Sequence, residues 1–294
     1  MELYLINKSN QALNLLNNKS KFVLKAAEAL HGVETDIAEL DSPYTDGAEI
    51  ESVRTLPRGI ELTFKLRGNV KASLDYFTSY VKSKQFVTLR EKEGGRDIII
   101  KGVATIPPYT RMLQSCEITL TIYCGQPYWE DAELIADALA KEMDLLNFPI
   151  EGQHFTLEGR PFGAISLDME KTFNNNSDVA VGMVFKMLAL GSVESPRITC
   201  STGEQLGWYM QLDINLDTND EIEISTIKGN KYILINGLEE YKGEPILNNF
   251  DFLGRDWLQL EQGSNTFNIT SLINGVRVPA ENIYFTINYK GRYE

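Results

Sequence analysis

Carboxylates are the side chains this sequence supplies most densely for chemistry. Asp213, Asp217, Asp220, Glu221 and Glu223 fall in one short stretch. Two carboxylates about 5–10 Å apart across a sugar could cleave a glycosidic bond, and an oxygen-rich loop could hold calcium. Asn215 to Asp220 lacks the spacing of an EF-hand loop. Glu221 and Glu223 then alternate with Ile222 and Ile224, the pattern of a strand that turns its acids to solvent and its isoleucines to a core. The cluster reads as a solvated turn running into a strand.

Other reactive residues are sparse. His31 and His154 are isolated, each in a glycine-containing turn, whereas a zinc site needs three or four clustered donors. The cysteines are Cys116, Cys124 and Cys200, an odd set that suggests reduced thiols made in a cytoplasm. Cys116 and Cys124 share one strand-like segment; their spacing spans roughly 27 Å at ~3.4 Å per residue, too far for a bridge. No phosphate-binding glycine loop, dinucleotide fingerprint, Gly-x-Ser-x-Gly or His-Glu-x-x-His motif occurs. We expect no catalytic residue, cofactor or metal, and no enzyme. Trp208, Tyr209, Tyr232 and Trp257 could stack on sugars, but such rings also fill cores and interfaces; Trp208 and Trp257 are the candidate stacking residues of a carbohydrate-binding reading.

The length of 294 residues favours two domains. A formal net charge of −13 argues against sequence-independent nucleic-acid binding, which needs clustered Lys and Arg. No apolar run approaches the ~18 residues of a membrane helix; Ala180 to Leu190 is broken by Gly182 and Lys186. The start, Met1-Glu2-Leu3-Tyr4, has no basic stretch, so no secretory signal is evident.

The elements that must position these residues are mostly strands. Ile60, Leu62, Phe64 and Leu66 alternate with Glu61, Thr63 and Lys65, the pattern of a half-buried antiparallel strand. Residues 2–7, Thr35 to Leu40, Glu49 to Val53 and Glu117 to Tyr123 alternate similarly, while Asn7 to Lys21 reads as irregular. Phe86 to Arg90 and Arg96 to Ala104 flank Glu93-Gly94-Gly95, a hairpin signal. From Asn69, a plausible N-cap, to Lys84, the residues Leu74, Phe77, Tyr80 and Val81 predict an amphipathic helix. A second helix is expected over Asp131 to Asn147, on the stripe Leu134, Ile135, Ala138, Leu139 and Leu146, ended by Pro149. Beyond Phe173 many short strands between turns imply a β-sandwich. The expected organisation is a first domain over 1–129, a linker helix over 130–149 and a second domain over 150–294.

The order of several motifs resembles the distal tail protein family of long-tailed phages and phage-like bacteriocins. In the second half these are Gly191-Ser192-Val193-Glu194-Ser195-Pro196-Arg197-Ile198, the strand Glu221 to Thr226, Lys228-Gly229-Asn230-Lys231, Asn236-Gly237, the run Trp257 to Thr266 and the Arg292-Tyr293 end. In the first half they are Asp46-Gly47-Ala48, Arg58 to Phe64 and Tyr123 to Trp129. The stretch from Asn7 to Asn18 fits nothing in that pattern. The resemblance implies a mainly β fold: an N-terminal β-sandwich with a helix and an extended hairpin, then a galectin-like β-sandwich. It implies a structural role, six copies forming a ring that joins the tail-tube end to the tail-tip or baseplate hub. Partners would be further copies of the chain, the tail tube protein, the tail-tip or hub protein and receptor-binding proteins; neither nucleic acid nor membrane is expected. Location would be the virion tail or bacteriocin particle, after synthesis in the host cytoplasm. The Asp41 to Pro57 segment is the expected subunit-contact arm, with Pro43, Tyr44, Asp46, Gly47 and Arg58 as its contact residues. The alternative is a carbohydrate-binding adhesin or receptor-binding module, and glycoside hydrolysis is a third reading.

Overall fold

The computed structural model describes residues 1–17, 21–41, 47–107, 116–138, 140–144, 163–167, 170–236 and 250–294. These form two compact units, Met1–Glu133 with Arg292–Glu294, and Leu134–Gly291.

The first unit contains β1 (Glu2–Ile6), β2 (Ala12–Asn14), β3 (Phe22–Glu28), β4 (Thr35–Asp41), β5 (Ala48–Thr55), β6 (Arg58–Leu66), α1 (Val70–Tyr80), β7 (Gln85–Glu93), β8 (Arg96–Thr105), β9 (Glu117–Cys124) and β10 (Trp129–Asp131). Except for β4 and β5, its strands belong to one nine-stranded antiparallel sheet, ordered β2-β1-β7-β8-β9-β6-β3, with β10 added to β8 and the chain's last strand, Arg292–Tyr293, added to β10. The alternation seen in the sequence is the cause. Ile60, Leu62 and Phe64 of β6 lie opposite Ile122, Leu120 and Ile118 of β9, and all six are buried. Buried residues of β1, β3, β6, β7, β8 and β9 share a single cluster, so the sheet curls around one core as a sandwich. Helix α1 closes it. Its N-cap Asn69 accepts a 3.2 Å hydrogen bond from the Ala72 amide, and Phe77 packs edgewise on Phe22 and tilted on Phe64 at 5.7 and 5.2 Å between centroids.

In the second unit the strands are β11 (Ile135–Ala138), β12 (Ala140–Asp144), β13 (Gly163–Leu167), β14 (Glu170–Asn175), β15 (Met183–Ala189), β16 (Val193–Cys200), β17 (Tyr209–Leu212), β18 (Asn215–Leu216), β19 (Glu221–Ser225), β20 (Tyr232–Ile235), β21 (Phe250–Leu253), β22 (Gly263–Ile273), β23 (Val276–Pro279) and β24 (Ile283–Tyr289). One sheet runs β11-β24-β15-β19-β20 and the other β14-β22-β16-β17-β21, with β18 on β16 and β23 on β22; β12 and β13 pair separately. Inward residues of both main sheets form one core centred on Phe173, Phe185, Phe267 and Phe285, a β-sandwich. A last strand, β25 (Arg292–Tyr293), pairs with β10 of the first unit.

Two expectations need correction. The stretch expected as a helix over 131–147 forms β10, β11 and β12 where it is described. Strand β11 adds to the edge of β24 through four residue pairs, and this cross-strand pairing overrides local helix propensity. Leu134 and Ile135 remain 56% and 40% exposed, so the apolar stripe never becomes a buried helix face; Leu139 and Leu146 lie outside the described residues. Within the stretch expected as irregular, Ala12–Asn14 pairs with β1; the alternation there is too short to register.

Gly102 of β8 sits where β9 approaches most closely: a Cβ there would lie 2.7 Å from the Tyr123 carbonyl oxygen and 2.6 Å from Ile122 Cγ2. Gly102→Ala should lower the first unit's stability by about 1–3 kcal/mol through overpacking, read as an earlier chemical-denaturation midpoint. On the same hairpin the Arg90 fork grips Asp97, joined by Lys92 at 3.1 Å, and holds the Asp97 carboxyl down at about 2. A depressed carboxylate stabilises the fold above its ordinary value near 3.8 and loses that contribution as pH falls through the depressed value. Asp97→Asn should therefore melt below wild type at neutral pH, with the gap closing between about 3.8 and about 2.

Candidate functional site

Strands β4 and β5 form a sheet of their own. Arg54 and Asp36 bridge it at 2.7 Å on one face. Ile37 lies opposite Val53 on the other, and a bulge after Ala38 shifts the register so that Ile50 comes opposite Glu39, on the same face as Ile37 and Val53. Ile37, Ile50 and Val53 are 47%, 61% and 60% exposed. The hairpin thus presents an apolar stripe that nothing among the described residues covers. Gly47, at its turn, has φ +88° with open space about it. Pro43, Tyr44 and Asp46 lie outside the described residues.

The root of this hairpin is built tightly. Arg58 Nη1 and Trp129 Nε1 both donate to the Leu30 carbonyl, at 3.0 and 2.9 Å. His31 stacks on Trp129, centroids 6.0 Å apart, and its Nε2 lies 3.2 Å from the buried Glu91 carboxylate. Thr55 and Tyr128 share a 2.8 Å hydroxyl hydrogen bond, and the Leu56 amide donates to Glu34 O at 2.8 Å. Arg58, expected among the contact residues of the arm, is 5% exposed and bonds the Leu30 carbonyl at the arm's base. Burial lowers its pKa, and Nε and Nη2 have no acceptor among the described residues. Burial also raises the Glu91 pKa, opposed by His31. Arg58 could not have been placed from sequence, because its acceptor Leu30, and Trp129 which shares that acceptor, lie far from it along the chain.

The sequence cluster of carboxylates does not converge. Asp213 accepts from Ser195 Oγ at 2.6 Å and from Gln211 Nε2. Asp220 accepts from the Asp217 amide and from Asn236 Nδ2, both at 2.8 Å, securing a turn. Glu223 pairs with Lys186 at 2.7 Å and accepts from Tyr232 at 2.5 Å on the opposite sheet. Glu221 is exposed while Ile222 and Ile224 are buried, as the alternation requires. Cys116, Cys124 and Cys200 are free thiols and buried; burial pushes Cys124 up to about 11, the opposite of an activated nucleophile. His154 lies outside the described residues, and among those described no group of three or more His, Cys, Asp or Glu is placed to hold a metal. No helix among them is long and apolar enough to cross a membrane.

The two candidate stacking residues are not brought together. Trp208 lines a depression of about 910 Å³ with Glu204, Leu206, Leu253, Arg255 and Glu261. Gly254, at φ +148°, lies flat against its ring, where a Cβ would come within 2.5 Å of Cε3. Trp257 is not in that wall; it packs on Phe250 at 4.9 Å, with the Lys231 ammonium 5.5 Å from its ring centre.

Sequence reading missed a polar network on the outer face of the β16–β17–β21 side. Arg197 lies opposite Gln211, and Gln211 opposite Asp251. Arg197 donates Nε and Nη2 to Gln211 Oε1 and stacks 4.0 Å over Tyr209. Tyr209 donates to Asp251 at 2.9 Å, and Arg277 donates to the Ser195 carbonyl. Its members come from four separate stretches, so no short motif announces it.

The geometry defines a two-unit β scaffold with a projecting hairpin and, among the described residues, no converged reacting centre. Sequence comparison finds no matching family model and no matching curated protein. By structure, the chain is similar to the Dit protein of phage SPP1, described as a paradigm of the hub adsorption apparatus in phages infecting Gram-positive bacteria: TM-score 0.64, 11% identity, covering 99% of each chain. At that identity the likeness shows a shared fold. Chains of the phage P2 baseplate in its activated conformation, with Ca and with Sr, align at TM-scores 0.41 and 0.42 and 10% identity, over 98% of this chain and 98% and 97% of theirs.

Trp129→Phe keeps the stacked ring and removes the Nε1 donor to Leu30. It should cost about 1–2 kcal/mol and speed amide exchange selectively across residues 29–57.

Proposed function

We propose that the chain is a structural distal tail protein: six copies form a ring joining the end of a tail tube to the tail-tip or baseplate hub of a phage or phage-like bacteriocin. The observation that carries this reading is the free β4–β5 hairpin with its exposed stripe of Ile37, Ile50 and Val53, on a chain whose fold matches the SPP1 hub protein over 99% of its length. A closed ring needs heterologous contacts, one patch meeting a different patch on the next copy. A firmly rooted hairpin with an apolar face is suited to that. Burying the exposed half of each such side chain would contribute on the order of 1 kcal/mol, repeated at every interface. In this reading the second unit is a galectin-like sandwich, the neighbours are the tail tube and tail-tip or hub proteins, receptor-binding proteins attach to the ring, and the particle's tail is where the protein resides after synthesis in the host cytoplasm.

The adhesin reading has less support. Trp208 lines the depression in the second unit, but Gly254 covers one face of its ring and Trp257 is engaged with Phe250 and Lys231.

Native mass spectrometry of the full chain tests the ring. Wild type should show a closed multimer, whereas Ile50→Lys with Val53→Lys, or deletion of Pro43 to Ala48, should give a folded protein with unchanged circular dichroism and no ring. Rings of unchanged stoichiometry in both variants would remove the hairpin from the interface; a monomeric wild type at tens of micromolar would remove the ring.

A further inference from the structure

The outer face of the second unit carries two guanidinium groups with no carboxylate of their own. Arg197 spends Nε and Nη2 on an uncharged partner, the Gln211 amide oxygen. Arg277 spends Nη1 on the Ser195 carbonyl, with Nη2 3.5 Å from Ser195 Oγ. Neither forms an ion pair among the described residues, although both are partly buried. Asp213 lies close enough to be felt by both, but its near oxygen is taken by Ser195 and Gln211. Asp251 is engaged by the Tyr209 hydroxyl. Ser195 and Gln211 link the two arginines into one array.

We propose that this array is a binding site for a phosphate-class oxyanion, held between Arg197 and Arg277. Three features support it. Two partly desolvated cations share one neighbouring carboxylate charge, that of Asp213, which leaves a positive charge that a further anion would balance, and each retains donor hydrogens beyond its internal bonds. The remaining hydrogens belong to two guanidinium groups joined through Ser195 and Gln211, and two forks can share one tetrahedral anion, whereas a flat carboxylate is satisfied by a single fork. The array is also preorganised: a bulge in β16 between Glu194 and Arg197 leaves the buried Ser195 at φ +49°, turning its carbonyl and hydroxyl to Arg277, and the Tyr209 ring fixes the plane of Arg197. Bulges re-aim side chains in this way beside sites. Burial, then the neighbouring Arg197 charge, lowers the Arg277 pKa, as two crowded cations require. A cross-strand ladder serving only the sheet would be expected to match its arginines with acids. The inference does not depend on the ring.

The test is a magnetic-resonance titration of the full chain with inorganic phosphate at fixed ionic strength, chloride being the reference, following arginine Nε–Hε signals. Saturable shifts are expected, with apparent affinity reduced at least tenfold in Arg197→Gln and in Arg277→Gln and unchanged in Lys228→Gln. Where a glutamine variant fails to melt cooperatively, Arg197→Lys and Arg277→Lys, which keep charge but lose the fork, take its place, and a threefold or greater loss is expected. A glycerol phosphate polymer titrated alongside identifies the source: equal affinity per phosphate means the free anion, tighter binding a polymer-borne one, and either supports the site. No saturation above chloride, binding undiminished in the arginine variants, or tighter binding of polyglutamate than of either phosphate would overturn it, the last in favour of an acidic protein partner.

Discussion

The Leu30 carbonyl is the point on which the first unit's working geometry depends. It accepts from Arg58 at the start of β6 and from Trp129 at the start of β10, so one backbone oxygen ties the exit of β3 to two strands distant in sequence. A hairpin free of the main sheet would otherwise pivot about its two connecting segments. With both segments fixed by Arg58, Trp129, Thr55 and Tyr128, the exposed stripe is displayed in a defined direction. The energy of holding a guanidinium in a buried place is offset by a charge-assisted hydrogen bond and by the packing of Trp129, which is fully buried.

Much of this fold is legible in the sequence because alternation is a local signal. The period of two in Ile60 to Leu66 becomes buried-exposed alternation along β6, the Gly94-Gly95 turn joins β7 to β8, and Asn69 caps α1. The stretch after Trp129 is not legible, since Leu, Ile and Ala at helical spacing also suit an edge strand once a partner strand is present. That partner, β24, lies about 150 residues later by the pairing of Ile135 with Tyr289. Site residues follow the same division. The hairpin's position is readable from alternation around a turn, but Arg58 at its root and the array of Arg197, Gln211 and Arg277 are set by non-local contacts that spacing does not encode.

Identity of 11% with the SPP1 Dit protein over 99% of both chains shows how loosely the fold constrains individual residues. Inward apolar positions form one core in each of the two units. A fold of this kind acts as a frame, and chemistry on it is a matter of what its outer faces carry.

Strand β25 gives the chain an unusual order of completion. Arg292 pairs with Glu130, 162 positions away along the chain, so the second unit lies in sequence between two segments of the first. During synthesis, the ribosome must deliver the whole second sandwich before the neighbour of β10 exists. Both ends of the second unit enter and leave through adjacent strands, giving it two covalent tethers in place of one. Tension applied to the second unit would be divided between these tethers, as a handle fixed at both ends distributes its load.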